Sequence, residues 1–592
     1  MVKSKLRRHK LLTFTPIAVV VVSLVMQSVP RSFGQEISAE AFQPKGEPGL
    51  GYLGYTAYPF NSVAGSHPGL IGMKTENNRV LSVNRCNSMK DAKCLDSDFF
   101  QFRSTLNFCA SNEESDCIVD VFAEKENGIA LKINRIADSF TESTHHYAGE
   151  PSIALPPGKS PPIIEIPEAP HPGGALYLPL VTSYGRIDRD RDAVVTVENG
   201  EIALFAVTIV DGNFSISTMS EKPSSYPERH WRSSEGDPSQ LCIFNDSLRC
   251  ARAWPIPENL RLGVKLKFSG GIKGWFHGRI TDPLINQELG PGNGLTLTVY
   301  GKPIQVPSIS IWKKKSELLP EVKSYYAQRK ATEFPLGGSG TGAGNATLQN
   351  GPEENWSLMR TNNVDFDQNK FDEFLAWLPT SGDKANLLPT VWILKLMTNY
   401  GTGSLIQNGC QRDLNNLTGI VSTNATQYLA GPPVYDASNN ELVYQVAAPH
   451  FLPDGSLVRG TYDLALRGDL ARCLYGVTGT NFKVTVSVIS NKNELVEAIT
   501  TAVEKDGWFY FSAKGFTFSS PKIRVKFEMT APISSASSPS ATMEVASSGS
   551  VPTNTVARSK SPSKKSITCQ KGTSSRKITG ISPKCPVGWK RK

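Results

Sequence analysis

Residues 193–217 read AVVTVENGEIALFAVTIVDGNFSIS, and this stretch decides the fold class. β-Branched and aromatic residues dominate it, as strands prefer. The pairs Asn199-Gly200 and Asp211-Gly212 are typical of hairpin turns, so the stretch predicts a meander of short strands. We therefore expect this part of the chain to be built from antiparallel β-structure.

Similar runs continue on both sides of this stretch. RLGVKLKFSGGIKGWFHGRI and LTLTVYGKPIQV follow it, and ELVYQVAA, SLVRGTYDLAL, FKVTVSVIS, WFYFSAKGFTF and KIRVKFEMT lie nearer the C-terminus. Their alternation and spacing predict two β-sandwich-like domains, at residues 175–307 and 387–530. The fold class expected for the whole chain is mainly β.

The middle segment, residues 308–386, has a different character and is expected to be partly helical. Pro320 breaks or kinks one helical candidate, WKKKSELLPEVKSYYAQRKA. The Gly-rich stretch at 337–345 lacks the Gly-Lys-Ser/Thr of a phosphate loop, so it predicts a surface loop. A second stretch, KFDEFLAWL, predicts a helix with a core-facing stripe formed by Phe371, Phe374, Leu375 and Leu378.

The N-terminus predicts export. Residues 1–10 are basic, residues 11–29 are almost wholly apolar, and Ser32 and Gly34 are spaced as the −3 and −1 positions of a signal-peptidase site. We therefore expect a signal peptide at residues 1–34. The alternative is an uncleaved N-terminal helix that anchors the protein, because an apolar run of this length nearly spans a bilayer.

Ten cysteines follow this segment, and their spacing predicts disulfides. Three pairs each enclose seven residues, which matches no usual zinc pattern and suits short cystine loops. A long-range pair and a C-terminal pair would leave no thiol over, although the first four cysteines alone allow three pairings. The expected pairs are Cys86 with Cys94, Cys109 with Cys117, Cys242 with Cys250, Cys410 with Cys473, and Cys569 with Cys585.

These features suggest the remaining boundaries. A cystine-rich β domain is expected at 35–150, followed by a Pro-rich linker at 151–174. Near the C-terminus, residues 531–565 are rich in Ser and Pro and poor in large apolar residues, so we expect a disordered linker. A basic cystine tail at 566–592 completes the chain.

Charge divides the chain sharply. Residues 1–34 carry six Lys or Arg and residues 558–592 carry eleven, with no acid in either segment. The formal net charge of +9 therefore leaves −8 for residues 35–557. The body is acidic and the tail is cationic.

A cationic tail on an exported protein suits anionic partners. Envelope polymers and membrane surfaces carry phosphates and carboxylates at high density, so we expect retention at the cell envelope. Solubility alone is the other interpretation, because blocks of like charge are often simple tails. Nucleic acid is not an expected partner, since Trp589 is the tail's single aromatic residue and the acidic body repels phosphate. The residues expected to bind the envelope are Lys571, Arg576, Lys577, Lys584, Lys590, Arg591 and Lys592.

The sequence shows a resemblance in its last third. The segment YQVAAPHFLPDGSLVRGTYDLALRGDLARCLYG and the tail ITCQKGTSSRKITGISPKCPVGWKRK are similar to segments of uncharacterised secreted or surface proteins of actinomycete bacteria. Their basic C-terminal element carries a similar ITC…KCPxGxK pattern. The resemblance implies an exported actinomycete protein and supplies no catalytic residue.

Catalytic and metal-binding motifs are weak. The sequence has no Gly-x-Ser-x-Gly elbow, His-Glu-x-x-His helix or Walker loop. His145, His146, His277 and His450 are expected to be packed, exposed or hydrogen-bonded, although a triad assembled from distant parts would escape sequence inspection.

No cofactor is expected, and calcium is the best small-ligand candidate. Two stretches alternate carboxylates or amides in a way that suits a hard cation, but neither completes an EF-hand loop. Solvated turns are the simpler interpretation. The residues concerned are Asp188, Asp190 and Asp192 in DRDRDA, and Asp365, Asp367 and Asn369 in DFDQNK.

Two functional classes follow. The first is an envelope-associated protein with a structural or adhesin-like binding role, held by its basic tail. The second is a secreted hydrolase acting on polysaccharide or peptide, with a site assembled from distant loops. Carbohydrate binding fits either class, because nine Trp and 17 Tyr residues offer flat faces to sugar rings.

Overall fold

The structure of the chain is a computed structural model, and it divides into two compact units, Met1–Ala531 and Pro532–Lys592. The residues that it describes are 49–58, 67–77, 79–137, 140, 144–189, 194–214, 216, 242–272, 274–290, 294–328, 345–348, 357–364, 367–386, 388–397, 410, 417–476, 482–490, 494–496, 498–518, 522–529, 565–571, 574–580, 585 and 590–591. The chain is mainly β, as the sequence predicts.

Sixteen of the described strands form one sheet, the main sheet. Its path runs from edge to edge through β28 (Ile499–Lys505), β29 (Trp508–Phe516), β25 (Gly460–Arg467), β21 (Leu417–Thr423), β13 (Gly274–Arg279), β20 (Thr390–Met397), β9 (Val194–Asp211), β8 (Leu176–Asp188), β4 (Phe99–Thr105), β2 (Gly69–Glu76) and β3 (Arg79–Arg85). Five strands lie off this path: β6 (Asn134–Ile136), β7 (Ile163–Glu165), β10 (Cys242–Asn245), β11 (Arg249–Trp254) and β16 (Ile304–Gln305).

Three smaller sheets complete the first unit. The first contains β17 (Ser310–Lys314), β1 (Tyr52–Tyr58), β19 (Ser357–Asn363) and β18 (Asn345–Leu348). The second contains β14 (Thr281–Leu289), β15 (Leu295–Lys302), β12 (Leu260–Phe268) and β5 (Cys117–Lys125). The third contains β22 (Gln427–Tyr428), β24 (Glu441–Ala447), β30 (Lys522–Met529), β26 (Phe482–Ile489) and β27 (Leu495–Val496), with β23 (Val434–Asp436) beside β24.

The described α-helices are short: α1 (Pro320–Ala327), α2 (Gln368–Trp377) and α3 (Gly468–Tyr475). Helix α1 begins at Pro320, where the missing N–H of proline costs no hydrogen bond. Helix α2 buries Phe371 and Phe374, as its spacing predicts. None of the described helices is long and apolar enough to cross a membrane, and the predicted signal segment lies outside the described residues.

The stretch that suggested a meander instead forms one long strand. β9 runs without a turn through Asn199-Gly200, so the predicted hairpin turn there is wrong. The register against β8 shifts between Tyr184 and Gly185, which absorbs one extra residue of β9 as a bulge. The extra residue is Glu198, which directly precedes the dipeptide. At Asp211, the second predicted turn position, β9 does end.

Strands from distant parts of the chain share the main sheet. The predicted ranges 35–150, 175–307 and 387–530 all contribute strands to it. β13, from the second range, pairs antiparallel with β20 and parallel with β21, both from the third. These ranges therefore do not form separate sheets.

Both faces of the main sheet are covered near β13. Trp275 and Phe276 are neighbours in this strand and so point to opposite faces. Phe276 shares a core cluster with Leu262 of β12 and Leu297 of β15, whereas Trp275 shares another with Val525 of β30. The second and third smaller sheets thus pack on opposite faces, and the result is the sandwich packing that the strand pattern predicts.

A buried polar network joins the helices to the first smaller sheet. Glu373 of α2 accepts hydrogen bonds from the Tyr326 hydroxyl at 2.9 Å and from Arg360 Nε at 3.0 Å. The Asn362 side chain lies 3.4 Å from the other carboxylate oxygen and donates to Tyr55. Because the Glu373 side chain is 3% exposed, these partners replace the water that it loses on folding.

We expect Glu373→Gln to lower the free energy of unfolding by about 3 kcal/mol, because it leaves the Arg360 guanidinium largely buried without its counter-charge. Urea denaturation would measure the change. Asp372→Asn is the matched control, since Asp372 is exposed on the same helix and should change stability by less than about 0.5 kcal/mol. Equal losses in the two variants would contradict this role for Glu373.

Candidate functional site

The second unit contains the predicted envelope-binding residues. Its described strands are β31 (Lys565–Lys571), β32 (Ser574–Gly580) and β33 (Lys590–Arg591), with β31 in the centre. The register places both Arg576 and Arg591 opposite Cys569, Lys577 opposite Thr568, and Lys590 opposite Gln570. Basic residues of two strands therefore flank the same short length of β31. Lys584 and Lys592 lie outside the described residues.

Four disulfides form as the spacing predicts: Cys86–Cys94, Cys109–Cys117, Cys242–Cys250 and Cys410–Cys473. Cys585 is disulfide-bonded as well, and its pairing with Cys569 stays a prediction. Structural disulfides persist in oxidising compartments, so these bonds favour an extracellular location.

The calcium candidates have simpler roles where they are described. Asp188 pairs with the Arg186 guanidinium, and Asp367 caps α2 by accepting a hydrogen bond from the backbone N–H of Asn369 at 2.9 Å. Asp190, Asp192 and Asp365 lie outside the described residues. Within the described part of the chain, no group of three or more His, Cys, Asp or Glu side chains could hold a metal ion.

A histidine–carboxylate pair lies where two loops meet. The short 3₁₀ turn at Pro379–Ser381 ends in two residues of left-handed conformation, Gly382 with φ 67° and Asp383 with φ 56°. This conformation suits glycine and is tolerated by aspartate. Asp383 Oδ1 accepts a hydrogen bond from the backbone N–H of His450 at 2.9 Å, and Oδ2 contacts His450 Nδ1.

The backbone holds this pair firmly. Phe451 N–H donates to the Asp383 carbonyl at 3.2 Å, Ala385 N–H donates to the Phe451 carbonyl at 2.8 Å, and Val458 N–H donates to the His450 carbonyl at 2.8 Å. A carboxylate at Nδ1 orients the ring and directs Nε2 as the acceptor of a proton. This arrangement of base and orienting acid is the one that activates nucleophiles in hydrolases.

The surroundings of the pair are accessible and partly apolar. The His450 and Asp383 side chains are 28% and 32% exposed. Phe451 and Leu457, joined by a backbone bridge, are 39% and 43% exposed beside them. The pair is therefore accessible to solvent, with apolar side chains beside it.

The other histidines singled out in the sequence are engaged within the fold. His146 Nε2 is hydrogen-bonded to Ser160 Oγ at 3.0 Å, and the edge of the His145 ring meets His67. His277 is buried and hydrogen-bonded through Nδ1 to the Tyr428 hydroxyl at 2.9 Å. Burial, reinforced by the positive charges of Lys395 and Arg279, lowers the pKa of His277 to about 3. His277 therefore stays neutral and does not act as a proton donor near neutral pH.

His277 belongs to a polar row that crosses the main sheet. The register places Thr182, Glu201, Lys395 and His277 opposite one another on β8, β9, β20 and β13. Lys395 Nζ lies 3.6 Å from Glu201 Oε2, both side chains being largely buried. Burial lowers the pKa of Lys395, and the Glu201 carboxylate opposes this shift.

The row ends in a loop held by Arg279. Its guanidinium donates to the carbonyls of Thr423, Ala425 and Thr426 and lies over the Tyr428 ring. The groups of this row are buried and are hydrogen-bonded or paired with one another. They are therefore not accessible to a substrate.

The tryptophans give little support to a sugar-binding face among the described residues. Trp275, Trp377, Trp392 and Trp508 are each at most 4% exposed, and Trp254 and Trp312 are half-buried. Aromatic platforms for sugar rings need an exposed face.

No protein-family model matches this sequence, and no curated protein sequence matches it.

A second buried carboxylate links two sheets. Asp463 of β25 accepts a hydrogen bond from Thr281 Oγ1 of β14 at 3.0 Å and lies 3.4 Å from the Asp282 backbone nitrogen. Burial raises the pKa of Asp463 to about 6; the charge of Lys514 opposes this shift, and that of Asp282 adds to it. The folded state thus binds this proton more tightly than the unfolded chain does.

It follows that the Asp463 contribution to stability is fully present below about pH 4 and is lost as the pH rises through 6. We expect Asp463→Asn, which stays neutral, to raise the free energy of unfolding at pH 8 by about 3 kcal/mol, with the gain shrinking toward pH 4. Urea denaturation at both pH values measures this. Asp506→Asn, at an exposed turn residue, is the control, and a pH-independent gain from Asp463→Asn would contradict the assignment.

Proposed function

We propose that this is an exported protein of the cell envelope, whose body forms a structural or binding surface and whose C-terminal unit retains it on anionic envelope polymers. One observation carries the proposal: the boundary between the acidic and the basic part of the chain lies close to the boundary between the two compact units. The unit Pro532–Lys592 holds eleven Lys or Arg and one acid, Glu544, whereas residues 35–531 sum to −7.

The small sheet makes this charge more effective than a random tail would. Neighbouring strands lie about 4.8 Å apart, so β32 and β33 bring basic residues to both sides of β31 within a short distance. A paired backbone loses less conformational entropy on binding than a flexible one. Attraction between such a cluster and a polyanion weakens as salt rises.

The resemblance of the tail to those of actinomycete surface proteins supports this location. The disulfides support an extracellular setting. The partner expected for the tail is a polymer or membrane surface rich in phosphate or carboxylate.

Co-sedimentation with isolated actinomycete cell envelopes would test retention by the tail. We expect the chain from residue 35 onward to pellet at 20 mM salt and to be released at 500 mM, and the chain truncated after Val556 to stay in solution. If the truncated chain binds as well as the longer one, the tail is not the anchor.

Two variants that each lose three positive charges distinguish the effect of the sheet from the effect of net charge. Replacing Arg576, Lys577 and Arg591 by Gln removes three charges from the sheet, whereas replacing Arg558, Lys560 and Lys564 removes three from the segment before it. We expect at least a tenfold loss of envelope affinity in the first variant and a smaller loss in the second. Equal losses would show that charge alone, without the sheet, holds the protein.

The His450–Asp383 pair favours a second candidate function, a hydrolase acting on envelope polysaccharide or peptide. We propose that His450 Nε2 would accept the proton of the attacking group while Asp383 orients the ring. Both functions are compatible in one exported chain.

Incubation with isolated envelopes, followed by assays for new reducing ends and free amines, would test this activity. We expect His450→Gln to lower the rate at least 100-fold and His146→Gln, the control at a histidine bonded to Ser160, to leave it unchanged. No release by the unmodified protein, or equal rates in the two variants, would reject the hydrolase.

A further inference from the structure

The edge of the main sheet ends in an exposed strand. All seven residues of β28 are exposed, including Ile499 at 73% and Val503 at 56%. In the described part of the chain, β29 is the one strand that pairs with it. An apolar edge strand of this kind is a template for pairing with another strand.

The turn between β28 and β29 shows which backbone groups face outward. Asp506 and Gly507 have φ of 54° and 78°, as in a type I′ hairpin turn. Lys505 and Trp508 beside this turn are therefore a hydrogen-bonded pair, and bonded pairs then alternate along the strand. Thr500, Ala502 and Glu504 consequently direct their N–H and C=O groups away from β29, toward the free edge.

We propose that this edge pairs with β28 of a second copy of the chain, antiparallel, about a twofold axis at Ala502. Among the registers that place outward groups opposite outward groups, this one pairs all three outward residues: Ala502 faces Ala502 of the second copy, and Thr500 faces its Glu504. Three hydrogen-bonded residue pairs form, with two bonds in each. An isologous contact of this kind closes at two subunits.

The side chains suit this register. Ile499 and Val503 lie on one face of β28, with Thr501 and Lys505. Across the twofold axis Val503 faces Thr501 and Ile499 faces the stem of Lys505, so both exposed apolar residues gain contacts. On the other face Glu504, already paired with Arg472 of its own chain, faces Thr500. No like charges stand opposite each other, which is the arrangement that cross-strand pairing requires.

A dimer would carry two basic C-terminal units. If retention by the tail holds, two linked attachments bind more tightly than one by mass action. The pairing of β28 is nevertheless independent of the tail and of any envelope ligand, so it is tested without them.

Sedimentation equilibrium of the purified chain from residue 35 onward, between 1 and 50 μM, tests the proposal. We expect a dimer, and a monomer in Ala502→Pro, because proline removes an outward N–H while the bonds to β29 stay intact. Circular dichroism and urea denaturation would show that this variant is folded. A monomer at 50 μM for the unmodified chain overturns the proposal, as does an undiminished dimer in Ala502→Pro.

A charge swap provides a second test that does not alter the backbone. Thr500→Glu places two carboxylates opposite each other in the proposed register, so we expect dimer affinity to fall at least tenfold. Adding Glu504→Lys turns that contact into an ion pair and should restore much of the affinity. Val434→Glu, at a residue 56% exposed on β23, is the control and should leave the dimer unchanged. Failure of Glu504→Lys to rescue Thr500→Glu would overturn this register.

Discussion

The burial of β13 on both faces and along both edges is the constraint on which the rest of the body depends. Every residue of Gly274–Arg279 is buried, with β20 on one side and β21 on the other. A strand in this position can be covered only if separate layers pack on each face, and the second and third smaller sheets supply them. The two strands that flank β13 in the sheet, β20 and β21, come from a distant part of the sequence.

The same constraint explains the buried polar groups of β13. His277 and Arg279 alternate with Phe276 and Gly278, so one face of β13 carries polar groups into the interior. Each of these groups finds a partner: Tyr428 for His277, and three carbonyls for Arg279. Groups that perturb pKa values in this way often mark functional sites, but here the partners are internal and the row is covered. The His450–Asp383 pair differs from this row because its side chains are accessible to solvent.

The features predicted from the sequence are those decided by nearby residues. Strand alternation, the helix containing Phe371 and Phe374, and the cystine loops over seven residues each depend on short separations along the chain. No turn forms at Asn199-Gly200 because both residues pair with β8 and with β20, and β20 is distant in the sequence. The shared sheet could not be predicted, because the parallel pairing of β13 with β21 joins segments more than 140 residues apart.

The accessible His450–Asp383 pair and the exposed β28 edge could not be predicted either, because both depend on the three-dimensional arrangement of the chain. Asp383 meets His450 across 67 residues, and no spacing rule connects a turn after a 3₁₀ segment with a loop between strands. The strand WFYFSAKGFTF is predicted from the sequence, whereas its neighbour β28 and the edge position of β28 are not, because an edge depends on which strand finds no further neighbour. Many mutually consistent contacts determine each buried strand or helix, so several residues of the sequence indicate it. The His450–Asp383 pair and the β28 edge lack that redundancy, and for this reason neither was predicted from the sequence, whereas the basic tail is evident from its composition.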